Sequence, residues 1–461
     1  MALLSTRFRS IVRRAVALGW PVSVQQGFST LMRTVDIVVT GLFSPAAVAA
    51  VGLADLYGQV PLRVGLGLGA GSIALSSQDT GRGATDTRDR AITQAILIGA
   101  LAGLPLVVVG LLFSRQLIAL YGAEGEVVRL GGTYLTLLFA AAPMRIVGIV
   151  GSRSLQGTGD TRTPMVLNGV GNALNIVLTV ALGLGVWIAP ELGIVGVGVA
   201  TVIGRAFIAV GIVGALATGR TTASLARPRD FTITRQIVAV STPTFAEGMS
   251  TSLANFPFNS LLLVFGTEAN AAYHIGRRIY QQCAGPLYRA FNTVSSIITG
   301  QTLGEGDADG ARYAATAILA LSVAVVGSAG AVLFVAAEPI VSVFTQDPTT
   351  VGHAVDFTRA FGVSLPFMAV FFPLAGALRG AGDTRTPFYA RLAGGFVFML
   401  GASYLLGVIL GFGLMGVYAG LVLSYVCWAA VVAVGFFRGG WRETAASMIS
   451  ERAAAEEAPR R

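Results

Sequence analysis

Apolar residues run down this chain in long blocks rather than in the short alternations of strands or the one-sided stripes of soluble helices. Twelve blocks approach or exceed the roughly 20 residues a helix needs to cross a hydrocarbon layer. They span residues 15–40, 45–77, 91–113, 130–152, 164–188, 193–217, 236–264, 268–300, 311–334, 353–378, 387–410 and 414–437. The predicted fold is an all-α polytopic membrane protein. Arginines 7, 9, 13 and 14 lead straight into the first full-length block, so no cleavable signal is expected.

Composition agrees: 54% of the residues are hydrophobic, 12% are charged and the mean hydropathy is +0.72, which excludes an ordinary soluble enzyme. There is no lysine, and the basic residues are all arginine. Most lie in the N-terminal segment, in the connections after helices 2, 4, 6, 8 and 10, and in the C-terminal tail. Only Arg115, Arg129 and Arg359 fall on the opposite side. The positive-inside rule then puts both termini in the cytoplasm of a multi-pass protein of the cell membrane. A formal charge of +9 fits orientation and contact with anionic membrane lipids, with no nucleic-acid partner. Cys283 and Cys427 lie in apolar blocks and form no metal-ligand spacing with His274 or His353, so no metal site is expected.

The stretch QGTGDTRTPM (156–165) returns as RGAGDTRTPF (379–388), 223 positions later. The same offset pairs Pro143 with Pro366, Tyr57 with Tyr280, Gln59 with Gln282, Gln78 with Gln301, Gly81 with Gly304 and Gly83 with Gly306. After helix 5 the offset falls to 220, so the loop around Trp187 is three residues longer than its counterpart. Six crossings per repeat is an even number, so the lobes enter the membrane in the same sense, as parallel repeats. The expected organisation is an N-terminal six-helix lobe over 1–222, a C-terminal lobe over 223–440 and a cytoplasmic tail over 441–461. The glycine-rich turn itself is not a nucleotide loop: no GK[ST] follows, no strand precedes it, and Pro164 opens the next helix. Asp160 and Thr163 are expected to cap that helix.

Ionisable and amide groups within the blocks carry the candidate chemistry, because each is costly in hydrocarbon and usually faces a cavity or a partner. Asp36 stands in helix 1, three residues from Arg33, which offers a plain ion pair as the alternative. Its repeat mate is Asn259. The second lobe's own acid is Glu247, near the start of helix 7. Asn168, Asn172, Asn175 and Thr179 share one face of helix 5, and Thr201 of helix 6 is placed to join them. A carboxylate opposite these oxygens suits H⁺ or a hard cation such as Na⁺. Gln59 and Gln282 occupy matching places in the two lobes as cavity or gating candidates, with Asn172, Asn168, Glu247 and Asn259. Asp55 is expected to form a structural pair with an arginine such as Arg278.

These residues resemble the multidrug and toxic compound extrusion (MATE) transporters. The resemblance rests on two six-helix lobes, the segment VDIVVTGLFSPAAVAAVGLA and the twin GDTRTP turns after helices 4 and 10. It implies no enzyme but a cation-coupled antiporter that exports small amphipathic, often cationic, organic substrates, with no cofactor beyond the coupling H⁺ or Na⁺. A monomer is expected to suffice. Asp36 matches the helix-1 acid of the prokaryotic branch, and Asn175 and Thr201 match polar members of its cavity. Thr179 stands where that branch carries a second acid. The alternative is a flippase of the same superfamily for lipid-linked precursors, for which Arg145, Arg205 and Arg289 would supply a cationic cavity.

Overall fold

The computed structural model describes residues 2–186, 189–229, 231–345 and 347–457. Twelve crossing helices form: α1 (Ala2–Gly41), α2 (Pro45–Arg82), α3 (Thr85–Ala119), α4 (Gly125–Ala140 and Ala142–Gly157), α5 (Arg162–Leu184), α6 (Ile194–Ala217), α7 (Phe231–Leu263), α8 (Thr267–Cys283 and Gly285–Gly304), α9 (Ala308–Val335), α10 (Pro348–Gly380), α11 (Arg385–Ile409) and α12 (Leu414–Arg438). A further helix, α13, covers Trp441–Glu457. Each expected block falls on one of the twelve. The fifth ends early, at Leu184, where Gly185 turns left-handed with φ 65°; Trp187 and Ile188 lie outside the described residues.

Among the described residues eight helices, and the two halves of α4 as a ninth, are long and apolar enough to cross a membrane by composition alone. The exceptions, α1, α7 and α8, are the helices that carry Asp36, Glu247 and the Arg277–Arg278 pair. Their polar content marks them as helices that cannot face lipid all round.

Two bends have a local cause. α4 turns by 44° at Ala141, and Pro143 restarts the helix in its first turn, where a missing N–H costs nothing. α8 likewise restarts at Gly285–Pro286. Pro366, the mate of Pro143, lies inside one unbroken α10. There Gly330 of α9 and Gly362 of α10 lack β-carbons, and each would otherwise press on the other's carbonyl oxygen. α11 is wound as a π-helix over Gly394–Ala402 and Leu405–Ile409.

The twin turns have one geometry. Gly159 and Gly382 take φ of 93° and 91°, a region open to glycine. Asp160 accepts a hydrogen bond from the Thr163 amide at 2.9 Å, and Asp383 accepts from the Thr386 amide at 3.1 Å. Each carboxylate thus satisfies an orphan N–H of the next helix, the capping expected from the sequence.

The chain packs as two compact units. One comprises Val24–Ser76 and Ala84–Ser241, the other Met1–Ser23, Ser77–Gly83 and Thr242–Arg461. In the first, Ala50, Ala54, Tyr134, Leu135, Phe139 and Val197 form the core. The core of the second is rich in aromatic rings, among them Phe258, Tyr273, Phe357 and Phe361. The linker after α6 is tied to α3: Ser224 donates to Asp89 at 2.6 Å, and Arg88 to the Thr222 carbonyl at 2.7 Å. α13 is docked into the second unit, with Trp441 stacked on Phe436 at 5.3 Å and donating to its carbonyl at 2.8 Å.

Candidate functional site

Glycines let α5 and α6 approach closely: a β-carbon on Gly204 would lie 3.0 Å from both the Asn175 β-carbon and the Gly171 carbonyl oxygen. That closeness brings the two helices' polar side chains together. Asn175, buried, donates from Nδ2 to the Thr201 hydroxyl at 3.3 Å. Thr201 passes its own proton to the Val197 carbonyl. One turn on, Thr179 donates to Asp36 Oδ1 at 3.1 Å, and Thr40 donates to the Asp36 carbonyl at 2.6 Å. Among the described residues the buried Oδ1 of Asn175 has no hydrogen-bond partner. An acceptor left unpaired in a dry interior costs about 1–3 kcal/mol, and a bound cation or water would relieve it. Asp36, Asn175, Thr179 and Thr201 therefore form one cluster rich in oxygen.

The rest of the α5 stripe divides. Asn172 donates to Ser29 of α1 at 3.3 Å, alongside this cluster, whereas Asn168 turns to Ser152 of α4 at 3.1 Å and to the Pro164 carbonyl at 2.8 Å. Asn168 also lines a cavity of about 20 Å³ with Arg145 and Arg205. Charges surround Asp36: Arg205, Asp55 and Arg33 all interact with it electrostatically. Tyr134 of α4, fully buried, interacts electrostatically with both acids. Asp55 also carries charge in this region. Its charged partners are Arg33 and Arg145 of its own unit, and Arg145 is aimed by a 2.8 Å bond to the Gly58 carbonyl.

The second lobe has no copy of this cluster. The mates of Asn175 and Thr179 at the 223 offset are Phe398 and Ala402. Asn259 donates back to Asn255 at 2.8 Å, and its Oδ1 is likewise buried and unpartnered among the described residues. Glu247 lies twelve residues away, about 18 Å along the helix axis. It is buried between two guanidinium groups, Arg379 at 2.7 and 2.8 Å and Arg391 at 2.9 Å. Arg391 also lies over the Trp428 ring at 4.5 Å. Glu247 thus binds α7, α10 and α11 into one knot, and any cation reaching it must first displace two arginines. In the first lobe the mate of Arg379 is Gln156, which makes a neutral bond to Gln25 at 3.2 Å. Gln59 is half-buried on α2 and Gln282 exposed on α8.

Sequence reasoning missed the partners of Glu247 and a buried pair between Asp79 and Arg452. The second had a signal: Trp441, Ala445, Met448 and Arg452 fall at helical spacing on one face.

Twelve crossings in two repeated lobes give the architecture of a two-lobed membrane transporter. The family model described as MatE matches residues 21–181 and 243–405, once in each lobe, and the chain belongs to that family. Among its relatives, the probable multidrug resistance protein NorM of Thermotoga maritima is 24% identical over 438 residues, covering 94% of each chain. Multidrug resistance protein MdtK of Pectobacterium atrosepticum is 26% identical, covering 96% of this chain and 98% of its own. A crystal structure of MATE in the bent conformation superposes with a TM-score of 0.86 at 22% identity, covering 98% of this chain and 99% of that one. An outward-facing MATE family transporter of the MOP superfamily gives 0.85 at 23% identity, covering 94% and 96%.

Proposed function

We propose that this protein exports amphipathic organic compounds, cations among them, from the cytoplasm in exchange for H⁺ or Na⁺ taken up at Asp36. The names of its relatives as multidrug resistance proteins support the export reading. The observation that carries the coupling site is the cluster itself: a carboxylate, two hydroxyls and an amide oxygen without a partner, all inside one lobe. The arginine distribution supports cytoplasmic termini in the cell membrane.

The physical logic is a desolvation switch. An ionised Asp36 is costly away from water, so the empty site favours a state in which the cluster is hydrated. A bound proton or Na⁺ cancels the charge and lets the helices around Asp36 close upon it. Thr179 serves both states, because its hydroxyl rotates between donating to a carboxylate and accepting from a carboxylic acid. Cation and substrate then compete through the state each prefers, and that coupling is reciprocal.

The flippase alternative draws on Arg145 and Arg205, which line one small cavity; the names of the relatives as multidrug resistance proteins favour the export reading over it. Proteoliposomes decide the main reading. Asp36→Asn should insert normally and lose gradient-driven efflux, with H⁺ and Na⁺ movement recorded separately; undiminished coupled efflux would remove Asp36 from the mechanism.

A further inference from the structure

A second charged cluster lies far from Asp36 in sequence and takes no part in its site. The foot of α2, Ser77–Gly83, packs in the second unit, while the rest of that helix packs in the first. Asp79 in this foot and Arg452 of α13 are both fully buried, with Nε 3.1 Å from Oδ1. Arg452 also donates to Gln78 Oε1 at 2.8 Å, and Gln78 donates in turn to the Gly380 carbonyl at 2.9 Å, where α10 enters the second GDTRTP turn. Arg82 closes the cluster, 3.4 Å from Asp79 and 3.1 Å from Glu456. Two arginines and two acids leave it neutral. Beneath it the backbones meet directly: a β-carbon on Gly81 would overlap the Gln301 carbonyl, and one on Gly304 the Gln78 carbonyl.

A buried carboxylate stripped of its cation is strongly destabilising. Asp79 keeps Arg82 when Arg452 leaves, but at 3.4 Å against 3.1 Å, and α13 keeps Trp441 on Phe436, so the Asp79–Arg452 contact adds to the docking of both segments and couples them. We propose that α13 is a clasp that fixes the foot of α2 in the second lobe, so that α2, which continues into the first lobe, transmits the rearrangement of one lobe to the other. Arg452 is a positioning residue in transport, acting through Asp79. This rests on the transporter reading above.

Amide hydrogen exchange on the purified full-length protein reads the clasp without any transport. Arg452→Lys keeps the charge but cannot span Asp79 and Gln78 together. Exchange over Ser77–Gly83 and Trp441–Glu457 should rise by about tenfold or more, and unchanged exchange in either segment overturns the clasp. In proteoliposomes, Arg452→Lys and the double variant D79N/R452M, which strands no lone charge, should lower kcat for efflux by about tenfold while KM stays within about twofold. A folded D79N/R452M with wild-type kcat overturns the positioning role. If the wild type itself shows no gradient-driven efflux, the transporter reading fails, and the exchange result still decides the clasp.

Discussion

Replacing Glu247 with glutamine keeps the side chain's shape and removes its charge. Arg379 and Arg391 then remain between α7, α10 and α11 with no anion, their side chains only 12% and 18% exposed. Removing one partner of a buried pair costs about 3–5 kcal/mol. Here three short contacts to two cations depend on one carboxylate, which argues for the upper half of that range, while the stacking of Arg391 on Trp428 retains about 1 kcal/mol. The expected loss is thus about 3–4 kcal/mol, a factor of several hundred in the unfolding equilibrium. Reversible unfolding in mixed micelles measures it. The first lobe supplies a control, because the mates of Arg379 and Arg391 there are Gln156 and Asn168. The triple variant E247Q/R379Q/R391N imitates that neutral arrangement and should recover most of the loss. A cost below about 1 kcal/mol for Glu247→Gln, or a triple variant no more stable than the single one, would refute the electrostatic knot.

Gly81→Ala drives a methyl group into the α8 backbone at Gln301 and should cost about 3 kcal/mol or more, whereas Gly52→Ala, with open space around it, should be neutral or gain up to about 1 kcal/mol; the same unfolding assay compares them. Asp347 caps α10, accepting from the Thr350 amide at 2.8 Å, and hydrogen bonds from Thr350 hold its carboxyl below the ordinary 3.8. A depressed carboxyl stabilises above its unfolded value and loses that benefit as pH falls through the folded one. The melting-temperature gap between wild type and Asp347→Ala should therefore be full above pH 3.8 and shrink below it.

Block length and the repeated GDTRTP turn established twelve crossings, two homologous lobes and the helix-capping role of Asp160; of the two residues expected to cap, Thr163 supplies only the capped amide. These features are local: hydropathy, proline and an aspartate three residues before an amide act within one or two turns of chain. The α5 period likewise put Asn172, Asn175 and Thr179 on one face, and the structure gave that face its partners in α1 and α6. Other outcomes depended on which helix arrives opposite. Identical prolines at 143 and 366 bend one helix and leave the other whole, a difference that sequence spacing alone does not show. The sequence places Glu247 near the start of helix 7 without saying what surrounds it, and Arg379 and Arg391, from 132 and 144 positions away, fix it in a knot. Arg452 lies in the segment expected as a cytoplasmic tail, yet meets Asp79 from 373 positions away. Charge in a low-dielectric interior takes its meaning from its counter-charge, and sequence spacing does not supply that partner; packing does.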